Sequence, residues 1–398
     1  MVRVPPDGAT RFEDKRHAGR GCSPEPNRIV PAACVTLLLA LILCAPILAA
    51  TPPSPQIVFV PSPQAYALAK HPTLPVLYVG CSVAPESKNL ITYRIDAEGK
   101  LIADSRRDWP DWFTTDGKNR DFMYQLWRPA VWAEKKVLYL TAAPSYADRF
   151  YGVTNHPEFV AVSLDAEGQP AKRVAAWRSG EPRGTPMGIR CDPATRRLYV
   201  NYYFVFGWCA LDEKGLPTPN RFQQIPFIGN FWDWTLASEW HRCFGMPGGM
   251  NVSMYQLATD GGTALTCQNI AAENQGYIAG HVPRDNIEVS TRFQKLYMLR
   301  YYPKRQLMVC SLTRDGRLTG LPKYFEVGPA RAIRFNFKAG LLHAFAHEWM
   351  KTFALDADGY PTGTPSEQSL SCGKIADILV DETSGTVYVA CSQPPTEK

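Results

Sequence analysis

Apolar residues along this chain come in short runs closed by turn formers, and one such unit repeats. An apolar run ends in Asp, two residues follow, then Gly, then a second run. Ile95-Asp96-Ala97-Glu98-Gly99 is the first copy, and Leu164-Asp165-Ala166-Glu167-Gly168 the second. Leu211-Asp212-Glu213-Lys214-Gly215 and Leu355-Asp356-Ala357-Asp358-Gly359 follow, with a copy around Asp315-Gly316 that reads as shortened by two residues. The pattern is that of a β-hairpin: Asp accepts bonds from the turn backbone and Gly supplies the positive φ. These Asp residues have no further acids at ligand spacing, so turn chemistry explains them better than calcium does.

A second unit precedes each hairpin: a short strand, a polar turn, and a strand with a central aromatic. Examples are Val76-Leu77-Tyr78-Val79, Val137-Leu138-Tyr139-Leu140, Leu198-Tyr199-Val200, Leu296-Tyr297-Met298 and Val387-Tyr388-Val389, with Leu341-Leu342-His343 as a variant. Together the two units make four strands, one blade of a propeller. The hairpin glycines fall at 99, 168, 215, 316 and 359, and the wide third gap leaves room for a worn copy, with Ala264-Leu265-Thr266-Cys267 as its second strand. The expectation is an all-β, seven-bladed β-propeller of four-stranded blades over 56–393, with six or eight blades as the alternatives. The last copy stops before its hairpin, and Ile57-Val58-Phe59-Val60 is placed to supply its missing strand and close the ring.

Composition agrees. Hydrophobic residues are 45%, and Gly 29 with Pro 34 make a chain rich in turn formers. The net charge of +6 is mild and its Lys and Arg are scattered, so a nucleic-acid footprint is not expected. An apolar stretch at 29–50, with Arg16, Arg20 and Arg28 upstream and the linker 51–55 after it, predicts a hydrophobic leader helix. It reads as a signal peptide or as an anchor; either puts the body outside the cytoplasm and leaves this segment as the membrane contact. Eight cysteines lie beyond the leader; most occupy equivalent strand positions in different blades and read as small core residues, and Cys191 with Cys209 is the pair best placed for a bridge.

These repeats resemble the seven-bladed lactonase-like propellers, the family that includes 6-phosphogluconolactonase. The strand after His71-Pro72 and the Ile95-Asp96…Gly99…Leu101 hairpin carry the likeness. It implies the fold and leaves activity open, because no catalytic motif transfers residue by residue. Residues 103–128 and 219–250, the latter with Trp232, Trp234, Trp240 and His241, read as insertions.

Loops leading into inner strands crowd one face of a propeller. Arg128, Arg183, Arg284, Arg331 and Lys374 stand just before five inner strands, and convergence would make an anion-binding mouth. His281 and Glu288 are candidate bases for lactone opening, with Arg284 and Arg331 stabilising the oxyanion. His241 among its tryptophans is a candidate sugar platform. His343 and His347, four apart, lack an acid at ligand spacing, so no metal is expected. No cofactor is expected either, since there is no Cys-x-x-Cys-His. Two functions follow: a binding or scaffold propeller of the cell envelope for an anionic small molecule or sugar, or a hydrolase of sugar or aromatic lactones.

Overall fold

The structure is a computed structural model. It describes residues 51–62, 65–81, 90–110, 112–113, 125–126, 128–143, 159–177, 186–202, 205–224, 231–247, 252–257, 267–270, 286–300 and 304–393. All belong to one compact unit, and the leader lies outside the described residues. Among the described residues, no helix is long and apolar enough to cross a membrane.

The first strand, β1 (Ile57–Phe59), stands before the first blade. Blade one is β2 (Ala65–Lys70), β3 (Val76–Cys81), β4 (Leu90–Arg94) and β5 (Arg107–Trp109). In blade two a broken inner strand, β6 (Gln125–Leu126) and β7 (Ala130–Trp132), precedes β8 (Val137–Ala143), β9 (Phe159–Leu164) and β10 (Pro170–Trp177). Blade three is β11 (Pro186–Asp192), β12 (Arg197–Tyr202), β13 (Phe206–Leu211) and β14 (Pro217–Gln224). Blade four is β15 (Phe231–Ala237), β16 (Arg242–Pro247), β17 (Val252–Gln256) and β18 (Cys267–Ile270). Blade five is β19 (Ile287–Ser290), β20 (Lys295–Arg300), β21 (Gln306–Leu312) and β22 (Leu318–Phe325). Blade six is β23 (Ala332–Asn336), β24 (Leu341–Phe345), β25 (Trp349–Leu355) and β26 (Pro361–Ser369). Blade seven joins β27 (Lys374–Val380) and β28 (Val387–Gln393) to β1, which pairs parallel to β28 from Ile57↔Val387 to Phe59↔Val389. The chain's start therefore completes its last blade, as expected.

Four details differ from the expectation. The worn copy is blade four, whose second strand is β16; Cys267 opens its outer strand instead. The stretch 219–250 thus carries the first two strands of that blade, and 103–128 carries β5 and β6. The blade-five hairpin has full length, because Thr313 stands where the others have Asp: its hydroxyl accepts the Arg317 N–H at 2.9 Å. Cys191 and Cys209 both face Leu198, from opposite sides of β12, so two strand spacings, about 10 Å, separate them. A bridge needs Cα atoms within about 7 Å. The disulfide joins Cys372 to Cys391 instead, with Cα atoms 5.9 Å apart.

The apolar core is not central. It is divided into seven clusters, one at each interface between consecutive blades, including the closing contact of blade seven with blade one. The repeated tyrosine spans these interfaces. Tyr78 donates to the Gly168 carbonyl of the next blade's hairpin at 2.6 Å, Tyr139 to Gly215 at 2.6 Å and Tyr297 to Gly359 at 2.9 Å. Across the closure Tyr388 donates to Gly99 at 2.8 Å. Gly359 sits at φ +84°, and a Cβ there would stand 2.7 Å from the Tyr297 hydroxyl, so the latch and the glycine require each other.

Among the described residues no hairpin glycine of blade four or seven receives such a bond, and other groups cross those two interfaces. The Nε2 of His343, at the tyrosine position of blade six, has no partner among the described residues. At these two interfaces an arginine on the inner strand replaces the latch. Arg190, opposite Tyr199, donates to Trp234 O at 3.0 Å; Arg334, opposite His343, donates to Ile378 O at 2.8 Å. In blade four Phe244 has no hydroxyl to offer, and Arg242 donates to Asp315 O on the next hairpin at 3.0 Å. A hydrogen bond joins every pair of neighbouring blades, and among the described residues four of the seven use the tyrosine.

Two predictions follow from these interfaces. Tyr78→Phe strands a buried carbonyl and is expected to cost about 1–2 kcal/mol; urea midpoints at unchanged slope check this. His343 is fully buried, and desolvation lowers its pKa from 6.5 to about 4. The folded state therefore binds fewer protons than the unfolded chain between these values, so stability is full above pH 6.5 and falls with acidification. The loss by pH 4 is expected to reach about 3 kcal/mol. His343→Phe, the residue type blade four uses at this position, should flatten that limb of the stability–pH curve.

Candidate functional site: the channel mouth at blades six, seven, one and two

Inner strands of a propeller all start on the same face, and in this chain that end of each strand is irregular. Pairing slips between Ala65 and Ala67, Pro186 and Gly188, Phe231 and Trp234, and twice between Lys374 and Asp377. In blade two the inner strand is broken, with Leu126 opposite Ala142 and Ala130 opposite Tyr139. Bulges of this kind turn side chains out of the regular alternation. They aim Arg128 and Asp377 at one another across the channel.

Asp377 is the centre of the arrangement. It is 4% exposed, inside the apolar run 375–380 of β27. Its carboxylate accepts from Arg128 Nη2 at 2.5 Å and from Arg334 Nη2 at 3.2 Å, so it pairs with two guanidinium groups. It also accepts the Leu68 N–H of blade one at 2.8 Å and the Ile378 N–H at 2.8 Å. One carboxylate thus ties blades six, seven, one and two around the axis. A buried charge needs this degree of pairing, because its desolvation costs several kcal/mol.

A second group lies at the rim of blades six and seven. The Arg331 N–H donates to Phe345 O at 2.6 Å, which fixes Arg331 beside the turn 346–348. From that turn His347 reaches blade seven, where its Nδ1 accepts the Ile375 N–H at 3.3 Å. Burial, then the nearby charges of Arg331 and Lys374, hold the His347 pKa below 6.5, with Glu348 opposing. A neutral imidazole that accepts at Nδ1 carries its proton on Nε2 and is a donor there. The disulfide at Cys372 clamps the chain two residues before Lys374.

Three of the five expected mouth residues are therefore placed: Arg128 in the Asp377 knot, and Arg331 and Lys374 beside His347. Arg183 and Arg284 lie outside the described residues, as does His281. Glu288 is half-buried on β19, opposite Tyr297, with its own partner. His241 stands at the other end of the wheel, as the left-handed residue (φ +50°) of the turn between β15 and β16, and Trp240 beside it packs on Gly316. His343 and His347 do not share a strand face, since His347 is in a turn. Sequence reasoning passed over Asp377 and Arg334. The signal was an acid inside the apolar run 375–380, which a strand tolerates only with a buried cation to match.

No family model matches the chain, and no curated protein does. Solved structures do resemble it. A protein from Lactobacillus plantarum superposes with a TM-score of 0.54 at 14% identity, over 77% of this chain and 88% of that one. The likeness is to the β-propeller fold. The periplasmic gluconolactonase of Pseudomonas aeruginosa gives 0.51 at 13% identity, over 78% and 86%. A chain of the mitotic checkpoint complex gives 0.54 at 8% identity, over 84% and 88%. An enzyme and a component of a protein assembly match equally well, so the likeness is one of architecture.

The Asp377 knot gives a prediction. Asp377→Asn leaves two buried-side cations without their counter-charge and is expected to cost about 3 kcal/mol. Removing the exposed pair Lys351–Glu367 (3.4 Å) should cost under about 1 kcal/mol. Chemical denaturation of the two variants side by side makes the comparison.

Proposed function

We propose that the protein is an exported binding propeller of the cell envelope, without turnover of its own, whose mouth holds an anionic small molecule. The observation that carries this is the character of the placed mouth groups. They are cations and a donor imidazole, and the one buried carboxylate among them, Asp377, is saturated by donors. A water-activating base needs an unoccupied lone pair, and neither Asp377 nor the Nδ1 of His347 has one. Export is supported by the Cys372–Cys391 disulfide, which persists in oxidising compartments, and by the apolar stretch at 29–50, whether cleaved or kept as an anchor.

A second reading is a hydrolase of sugar or aromatic lactones, with Glu288, half-buried on an inner strand, as base. The gluconolactonase of like fold favours it only at the level of architecture. A panel of sugar and aromatic lactones incubated with the purified chain, with Glu288→Gln as control, separates the two. The binding reading expects ring opening at the spontaneous rate for both proteins and a saturable calorimetric titration with gluconate. Turnover lost in Glu288→Gln would replace it with the hydrolase.

A further inference from the structure

We propose that the seam between blades five and six, away from the mouth, is a site for a single oxyanion of the sulfate or phosphate type, held by Lys295, Lys323 and the hydroxyl of Tyr360, to which Ser311 is bonded. The site stands apart from the mouth and does not depend on the reading given to it. Four elements supply its residues. Lys295 opens β20, Ser311 is the penultimate residue of β21, Lys323 lies on the outer strand β22, and Tyr360 follows the blade-six hairpin. The Tyr360 ring gathers them. The Lys323 ammonium lies 4.0 Å from its centroid and the Lys295 ammonium 4.8 Å, and the Ser311 and Tyr360 hydroxyls are 3.3 Å apart. Phe325 stacks on the same ring at 5.6 Å and fixes it against blade five.

The charges of this cluster point to what it holds. The ring attracts both ammonium groups but supplies no counter-charge. Among the described residues, neither lysine has a carboxylate within salt-bridge distance. Of the two acids in the adjoining hairpin, Asp356 is engaged by its own turn, accepting the N–H groups of Asp358 and Tyr360 at 2.9 and 2.8 Å, and Asp358 is exposed. The two ammonium groups stand within about 9 Å of one another, inside the Debye length of about 10 Å at ~0.1 M salt, so they repel. An oxyanion between them relieves that repulsion and accepts from the Tyr360 hydroxyl. The Ser311 bond first, then Lys295 and Lys323, hold the Tyr360 pKa below 10.0 against burial, so this spot already favours negative charge. A bound anion beside the phenol opposes its ionisation, so binding must raise that pKa, and affinity must fall as the phenol loses its proton.

The test is calorimetric titration of the full chain with sulfate at neutral pH, paired with an alkaline titration followed by phenolate ultraviolet absorbance, from which the Tyr360→Phe chain is subtracted. Sulfate is expected to bind and to move the Tyr360 transition to higher pH. Lys323 is exposed, so Lys323→Gln should fold normally and weaken binding by about tenfold, the worth of one charge-assisted hydrogen bond. Lys214→Gln removes the same charge from the exposed turn of the blade-three hairpin and should bind as the parent chain does. Sedimentation with phosphatidylglycerol vesicles, against phosphatidylcholine vesicles, identifies the source of the group. Capture by the former that Lys323→Gln loses assigns the oxyanion to a lipid headgroup, and sulfate binding without capture assigns it to a soluble ion; both support the site. Parent-like binding by Lys323→Gln, equal weakening in Lys214→Gln, or a Tyr360 transition that sulfate leaves in place would overturn the assignment. So would failure of the parent chain to bind sulfate at millimolar concentration.

Discussion

Every blade of this wheel is a small sheet with two apolar faces, and neither face is covered until a neighbour arrives. That constraint governs the molecule. The core is partitioned among seven interfaces, so stability resides between blades rather than within them. Apolar contact is non-directional, and two such faces could slide on one another. The hydrogen bonds that cross each interface supply the direction: a phenol that reaches a glycine carbonyl fits at one register only. Burial pushes the phenol pKa values of Tyr78, Tyr139, Tyr297 and Tyr388 up, so these hydroxyls remain protonated donors.

The arginine clasps show what happens when one partner of that device is lost. Blade seven is completed by β1, parallel to β28, and the Nε2 of His343 has no partner among the described residues. Opposite Tyr199 and opposite His343 the inner strand places a guanidinium that bonds the following blade from the axial side. Arg334 then does double duty, since it also neutralises Asp377. The mouth is therefore continuous with the devices that hold the ring, and its cations serve architecture before they serve any ligand.

How much of this is legible in the residues alone depends on sequence distance. The Asp-x-x-Gly hairpins and the tyrosine strands are local, and they announce blades wherever both survive. Blade four lost the tyrosine, Phe244 standing in its place, and its first two strands read as an insertion. Thr313 performs the work of Asp in the blade-five turn, which made a full-length hairpin read as a short one. The candidate site suffers more, because its bonds join residues such as Arg128 and Asp377, 249 positions apart. Basic residues before inner strands are visible; which of them meets a carboxylate, and which meets an imidazole, is decided by bulges that no local pattern encodes. The disulfide is a similar case, since Cys372 lies outside any repeat.

The parallel pairing of β1 with β28 has a consequence in time. Ile57 and Val387 meet near opposite ends of the chain. Joining segments so distant costs about 3 kcal/mol more chain entropy than closing a ten-residue hairpin. Six blades can assemble from neighbours while the seventh waits for both termini, which makes ring completion the natural last event of folding and slow, as non-local β pairings are. Until then, the apolar flanks of blades one and six lie bare to any other unfinished copy. Cys372 and Cys391 lie only 19 residues apart, so their bridge can fasten the C-terminal hairpin of that late blade before Ile57–Phe59 arrives to complete it.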